Sequence, residues 1–128
     1  MFKDTKAFSG FSVDDTDAAR RFYGETLGID VADGEMGGLL VLQIAGGRDT
    51  LIYPKADHQP ASFTILNFPV DDIEQAVDQL TARGVAFERY EGTQMETDER
   101  GIFRGGGPLI AWFKDPAGNV LSVIENNE

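Results

Sequence analysis

The chain contains no cysteine, which removes disulfide frameworks, thiolate nucleophiles and cysteine-held metals. Histidine is nearly as scarce. His58 is the only one, and so the only side chain that titrates near neutral pH by default. Long apolar runs are missing as well: no stretch approaches the roughly 20 apolar residues that a membrane-crossing helix requires. Met1-Phe2-Lys3-Asp4-Thr5-Lys6 has neither the apolar core nor the small-residue cleavage site of a secretory signal. The expectation is a cytoplasmic protein with no membrane partner. Basic residues are outnumbered, 11 Lys and Arg standing against 22 Asp and Glu for a formal charge of -11. Such a surface repels nucleic-acid phosphates and anionic lipid, so neither is an expected partner. The same charge would attract a cationic ligand, although its commoner role is solubility. Nucleophile elbows and phosphate-cradling loops are absent, and Gly105-Gly106-Gly107 precedes a strand-like segment rather than a helix, which makes it a hairpin arm.

What is present is an internal repeat. The 128 residues, 41% hydrophobic and 26% charged, suit one globular domain over residues 1–128. Within it, Phe11-Ser12-Val13-Asp14-Asp15-Thr16-Asp17-Ala18-Ala19 recurs as Phe68-Pro69-Val70-Asp71-Asp72-Ile73-Glu74-Gln75-Ala76. Each copy reads as strand, cap and helix. Ala19, Phe22, Tyr23 and Leu27 form one helical stripe, with Asp15 as N-cap and Gly28 at the end; Ile73, Ala76, Val77 and Leu80 form the other, with Asp72 and Gly84 in the corresponding places. Asp14, Asp15, Asp71 and Asp72 are thereby assigned to capping rather than acid–base work.

Three short apolar segments follow each helix: Ile29–Val31, Leu39–Ala45 and Thr50–Tyr53, then Val85–Tyr90, Leu109–Phe113 and Val120–Glu125. Gly46-Gly47-Arg48-Asp49 and Asp115-Pro116-Ala117-Gly118-Asn119 are turn sequences joining the last two segments of each half. The expected fold is α+β: two βαβββ modules, 1–58 and 59–128, lying side by side as a curved mixed sheet around a cavity, with the helices outside.

With Val13-Asp14-Asp15, Phe22-Tyr23, Leu27-Gly28, Val70-Asp71-Asp72, Arg83-Gly84-Val85 and Phe113-Lys114-Asp115-Pro116-Ala117-Gly118-Asn119 in this order, the chain resembles the glyoxalase/bleomycin-resistance/dioxygenase (vicinal oxygen chelate) superfamily over essentially its whole length. The resemblance implies metal ligands on the first and last strand of each module. Those places carry over to Phe8, Leu51, Ile65 and Ser122. Hydrocarbon side chains offer a divalent ion no lone pair, and Ser122 alone would be a weak ligand, so no metal or other cofactor is expected.

Strand alternation with Phe8, Ile65 and Ser122 turns Gly10, Ser12, Asn67, Val120 and Ile124 toward the cavity, while Phe11, Val13, Leu66, Phe68 and Val123 face the helices. Trp112 and Tyr53 are candidates for stacking on a ligand. The charged stretch Glu88–Arg104, which includes Met95, is a candidate lid, with Arg104 as its member nearest a ligand. The ligand-binding set is thus Phe8, Gly10, Tyr53, Ile65, Asn67, Arg104, Trp112, Ser122 and Ile124. No catalytic residue is assigned. The expected function is metal-independent binding of a small organic molecule, cationic or aromatic, in an apolar cavity, to sequester or sense it. The alternative is a glyoxalase-like lyase, isomerase or dioxygenase with atypical ligands or none, using His58, Glu88 or Glu91 as acid or base. The resemblance also implies a homodimer.

Overall fold

The computed structural model describes residues 1–35, 37–45 and 49–125. The chain divides into two compact units, Met1–Gln59 and Pro60–Glu128, each with its own helix and four-stranded sheet.

In the first unit, β1 (Gly10–Val13) leads into α1 (Thr16–Arg21), followed by β2 (Asp30–Asp33), β3 (Leu40–Gln43) and β4 (Thr50–Pro54). The sheet order is β1-β4-β3-β2, with β1 parallel to β4 and the remaining pairs antiparallel. Asp15 is extended, and its side chain accepts the Ala18 amide at 3.1 Å, satisfying one of the amides that the first helical turn leaves unpaired. After Arg21 the helix widens into a π turn, Phe22–Thr26, in which the Leu27 amide donates to the Phe22 carbonyl. Widening displaces the apolar stripe expected for a regular helix. Ala19 and Tyr23 are buried, whereas Phe22 and Leu27 are only half-buried. Gly28, at φ +72, then ends the helix in the left-handed conformation that glycine adopts without steric cost. Val13, Leu40, Leu42 and Ile52 complete the core of this unit. Of the turn Gly46–Asp49, only Asp49 lies within the described residues.

The second unit repeats the order: β5 (Thr64–Val70), α2 (Ile73–Ala82), β6 (Ile102–Phe103), β7 (Ile110–Lys114) and β8 (Val120–Glu125), arranged β5-β8-β7-β6. Asp72 caps α2 through the Gln75 amide, and Glu125 accepts the Ile73 amide at 3.1 Å, tying the last strand to the helix start. Ile73 and Val77 are buried with Ile102, Ala111, Phe113, Leu121 and Val123. The β7–β8 turn is organised by Asp115, whose carboxylate accepts the Ala117 and Asn119 amides and the Asn119 side chain.

The structure also corrects the expectation of a strand over Val85–Tyr90. There only Phe87 bridges to Phe113, and the edge of the sheet is Ile102–Phe103, paired with Ala111 and Ile110. Both segments share one edge of β7, and the chain between them loops outward. Tyr90, at φ +48, departs from the extended backbone that the strand reading required.

Gly101 closes this loop against Phe87. It sits at φ +90, and an added Cβ would fall 2.5 Å from the Phe87 Cβ; Gly84, at φ +92, faces open space. Gly84→Ala is expected to cost about 1–2 kcal/mol of backbone strain alone. Gly101→Ala should cost roughly 1–3 kcal/mol more through overpacking. Denaturant melts of the two variants measure the difference, and equal losses would show that the Phe87 contact yields freely.

Candidate functional site

Alternation along β7 and β8 sends Ala111, Phe113, Leu121 and Val123 to one face of the second sheet and Trp112 and Ser122 to the other. Trp112, Ser122 and Asn67 are register partners in adjacent strands, so they form one row, and Ile110, Ile124 and Pro69 form the next. Within the first row Ser122 donates to Asn67 Oδ1, which satisfies its fully buried hydroxyl.

The register of β5 slips between Thr64 and Leu66: Thr64 pairs with Val120 and Leu66 with Leu121, an irregularity that inserts one residue. Thr64 therefore lies beside Trp112, and the indole Nε1–H donates to its Oγ1 at 3.0 Å. Tyr90 approaches the indole edge-on, with centroids 5.4 Å apart at 65°, and Phe103 is tilted against it at 5.9 Å. Around this locked indole is a cavity of about 430 Å³, in the size range of small-molecule pockets. Its apolar wall is Phe63, Tyr90, Met95, Trp112 and Val120, with Ser62, Thr64 and Thr93 as the polar points. Phe63 and Met95 are exposed large hydrophobic residues.

Of the residues expected to bind a ligand, Trp112 lines this cavity; Asn67 and the fully buried Ser122 share its row and Ile124 the next, but these three are not among the lining residues. Ile65 is half-buried and does not line it; the slipped register sets Thr64 there instead. Arg104 is also elsewhere. Its Nε donates to Asp98 at 2.9 Å and its NH2 to Glu74 at 3.3 Å, while Arg100 joins Glu74 and Asp78, so these arginines pin the 98–104 segment to α2. Met95, from the expected lid, does line the cavity.

Phe8, Gly10 and Tyr53 belong to the first unit. Phe8 precedes β1 and is exposed, Gly10 is packed so closely on Leu51 that a Cβ would meet its carbonyl oxygen at 3.2 Å, and Tyr53 pairs with Ser12 and is exposed. In that unit His58, half-buried, places Nδ1 2.6 Å from Ser12 Oγ. Sequence reasoning missed Ser62, Phe63 and Thr64, and it placed Tyr90 and Thr93 in the candidate lid without singling them out. Phe63 was detectable as an apolar residue beside a strand start, but Thr64 depends on a pairing irregularity that no local pattern announces.

The family model described as the Glyoxalase/Bleomycin resistance protein/Dioxygenase superfamily matches residues 8–123. The chain belongs to this superfamily. Among solved structures it resembles a glyoxalase family protein of Bacillus anthracis, with a TM-score of 0.71 and 18% identity over 99% of this chain and 98% of that one. TnmS3, an antibiotic binding protein of Streptomyces, matches with a TM-score of 0.71 and 23% identity over 99% of both chains. A glyoxalase/bleomycin resistance protein of Streptomyces matches with a TM-score of 0.64 and 25% identity, over 94% of this chain and 99% of that one. No curated protein matches the sequence significantly.

The superfamily includes metal enzymes, but this member lacks the usual ligands. Phe8, Leu51 and Ile65 carry no side-chain donor atom, Ser122 offers a single neutral hydroxyl, and among the described residues no three His, Asp or Glu side chains gather into a metal-binding group. The donor set does not fit a divalent ion.

Asp98 anchors the segment beside the site. Burial pushes its carboxyl up, but the Arg104 guanidinium and the Ile102 and Arg100 amides outweigh that and hold it below the ordinary 3.8. A lowered folded-state pKa gives stability that is present above the ordinary carboxylate value and lost as pH falls through the lowered one. Asp98→Asn should therefore melt below the parent chain at neutral pH, with the gap closing in acid below pH 3.8. A gap independent of pH would show that the carboxylate charge is not what anchors the segment.

Proposed function

We propose that this protein binds a flat, mainly apolar organic molecule in the cavity of its second unit, and sequesters or senses that molecule rather than transforming it. The observation that carries the reading is the lining: among the described residues it offers three aromatic rings, a methionine and a valine, with hydroxyls as the other polar groups and no carboxylate, imidazole or amine. Burial, and then the Glu88 charge, push the Tyr90 phenol above 10.0, so it keeps its proton at neutral pH and is a potential donor, not a base. Proton-transfer catalysis needs a group titrating near the working pH within reach of the substrate. Retention needs apolar area and a few orienting polar points. The description of one structural relative as an antibiotic binding protein accords with retention. The charge of -11 favours a neutral or cationic ligand over an anionic one. In this reading the protein acts in the cytoplasm as a homodimer, as members of the superfamily commonly do.

A second reading, a glyoxalase-like lyase or isomerase, draws on the Ser12–His58 contact as an acid–base pair. Turnover of a hemithioacetal that is lost in His58→Gln would favour it.

Titration with the neutral fluorophore N-phenyl-1-naphthylamine tests the first reading. Trp112 is the only tryptophan, so quenching of its emission reports binding, and substitutions in the cavity wall locate it. Saturable quenching is expected, with affinity lowered about tenfold in Phe63→Ser and in Met95→Ser, the scale of one large apolar side chain. Both side chains are exposed, so both variants should fold. Absence of saturable binding, or affinity unchanged in both variants, would overturn the assignment.

A further inference from the structure

Three of the residues lining the cavity, Tyr90, Thr93 and Met95, stand on one loop outside the sheet. That loop is closed at its base by Thr97. Thr97 is buried at 6% exposure, and its amide donates to the Arg89 carbonyl at 2.9 Å. Its one hydroxyl proton is shared between the Arg89 carbonyl at 2.8 Å and the Glu88 carbonyl at 3.1 Å. The Glu88 amide in turn donates to the Trp112 carbonyl at 2.8 Å. A continuous set of hydrogen bonds therefore runs from the Trp112 backbone through Glu88 to the Thr97 side chain.

Inside this closure the loop is wound on itself. Thr93 donates both its amide and its hydroxyl to the Tyr90 carbonyl, the Met95 amide donates to Thr93 Oγ1, and the Glu96 amide to the Thr93 carbonyl. Tyr90 holds φ +48, a conformation that is unfavourable for a residue with a side chain and persists only where its surroundings impose it. The closing bonds supply that imposition, and the outcome is a Tyr90 ring set edge-on to Trp112.

We infer that Thr97 is a positioning residue for ligand recognition: its hydroxyl presets the loop that carries Tyr90, Thr93 and Met95, so that the cavity wall is preformed. The inference rests on that cavity being the binding site. A preformed wall avoids the ordering cost that a mobile loop would add to each binding event.

The test uses Thr97→Val, which keeps the shape and removes the hydroxyl, and Thr97→Ser, which keeps the hydroxyl. Two quantities are read: amide hydrogen exchange across 90–96 against that of core strand β8, and affinity for N-phenyl-1-naphthylamine. In Thr97→Val, loop amides should exchange about tenfold faster while β8 amides keep their protection, and affinity should fall about tenfold. Thr97→Ser should restore both. A role confined to general stability would instead accelerate β8 and loop amides together, and would leave the affinity of the folded protein unchanged. Unchanged loop exchange and affinity in Thr97→Val, or a Thr97→Ser variant as defective as Thr97→Val, overturns the inference. Should Thr97→Val not fold, Thr97→Ala removes the same hydroxyl with less crowding and is read in the same way. If the parent chain fails to bind the probe, the proposed function falls, while the exchange comparison still decides whether Thr97 holds the loop.

Discussion

Parallel pairing of the first and last strand of each module, β1 with β4 and β5 with β8, is the constraint on which the other features depend. Parallel neighbours cannot be joined by a tight turn, so the chain must leave the sheet, cross one face as a helix and return through the remaining strands. A helix placed in this way needs a sharp beginning and a sharp end. Asp15 and Asp72 supply the caps, and Gly28 and Gly84 supply the left-handed exits. The helix also commits one face of the sheet to the core, with Ile73 and Val77 buried alongside Phe113, Leu121 and Val123. Alternation then leaves the opposite face to Asn67, Trp112 and Ser122. The candidate site occupies this face because the crossover has already taken the other.

On that face, a large aromatic side chain becomes a ligand wall only if its polar edge is satisfied and its orientation is fixed. The slipped register of β5 meets both conditions at once, since it sets Thr64 Oγ1 3.0 Å from the indole nitrogen. Left without a partner in a buried setting, that N–H would cost about 1–3 kcal/mol. Tyr90 and Phe103 then hold the ring from two directions, and little of its surface is left exposed. Recognition on this platform would depend on the surfaces presented by Phe63 and Met95, which carry no comparable packing obligation.

Features set by neighbouring residues were legible in the sequence. The repeated Val-Asp-Asp, the two helix-ending glycines and the Asp115–Asn119 turn each follow from bonds made within a few positions, and together they specify the α+β fold and its duplication. The missing metal ligands were legible for a different reason: a phenyl ring or an aliphatic chain at a ligand place carries its chemistry in its residue type. What escaped the sequence depends on long-range choices. Thr64 replaces Ile65 in the site because β5 and β8 pair with a slip, and Arg104 is drawn to Asp98 and Glu74 by a pairing that involves a distant helix. Tyr90 reads as a strand residue by propensity, yet it stands at φ +48 in a loop outside the sheet.

The two modules part company at their sheet edges. In the first, β2 runs against β3 from Asp30–Gln43 to Asp33–Leu40, and the edge is fully paired. In the second, β6 pairs only Ile102 and Phe103, and a single bridge at Phe87 occupies the remainder of the β7 edge. Backbone that would otherwise be bound into the sheet is released between those two attachments, and it closes on itself through Thr97 instead. Arg100 holds the far end of the released segment to Glu74 and Asp78 of α2, while Tyr90, Thr93 and Met95 stand outside the buried core of Ile73, Phe113 and Leu121. The shortened edge strand therefore leaves the wall of the candidate cavity on backbone outside the sheet, while Ile73, Phe113 and Leu121 keep the core of the module.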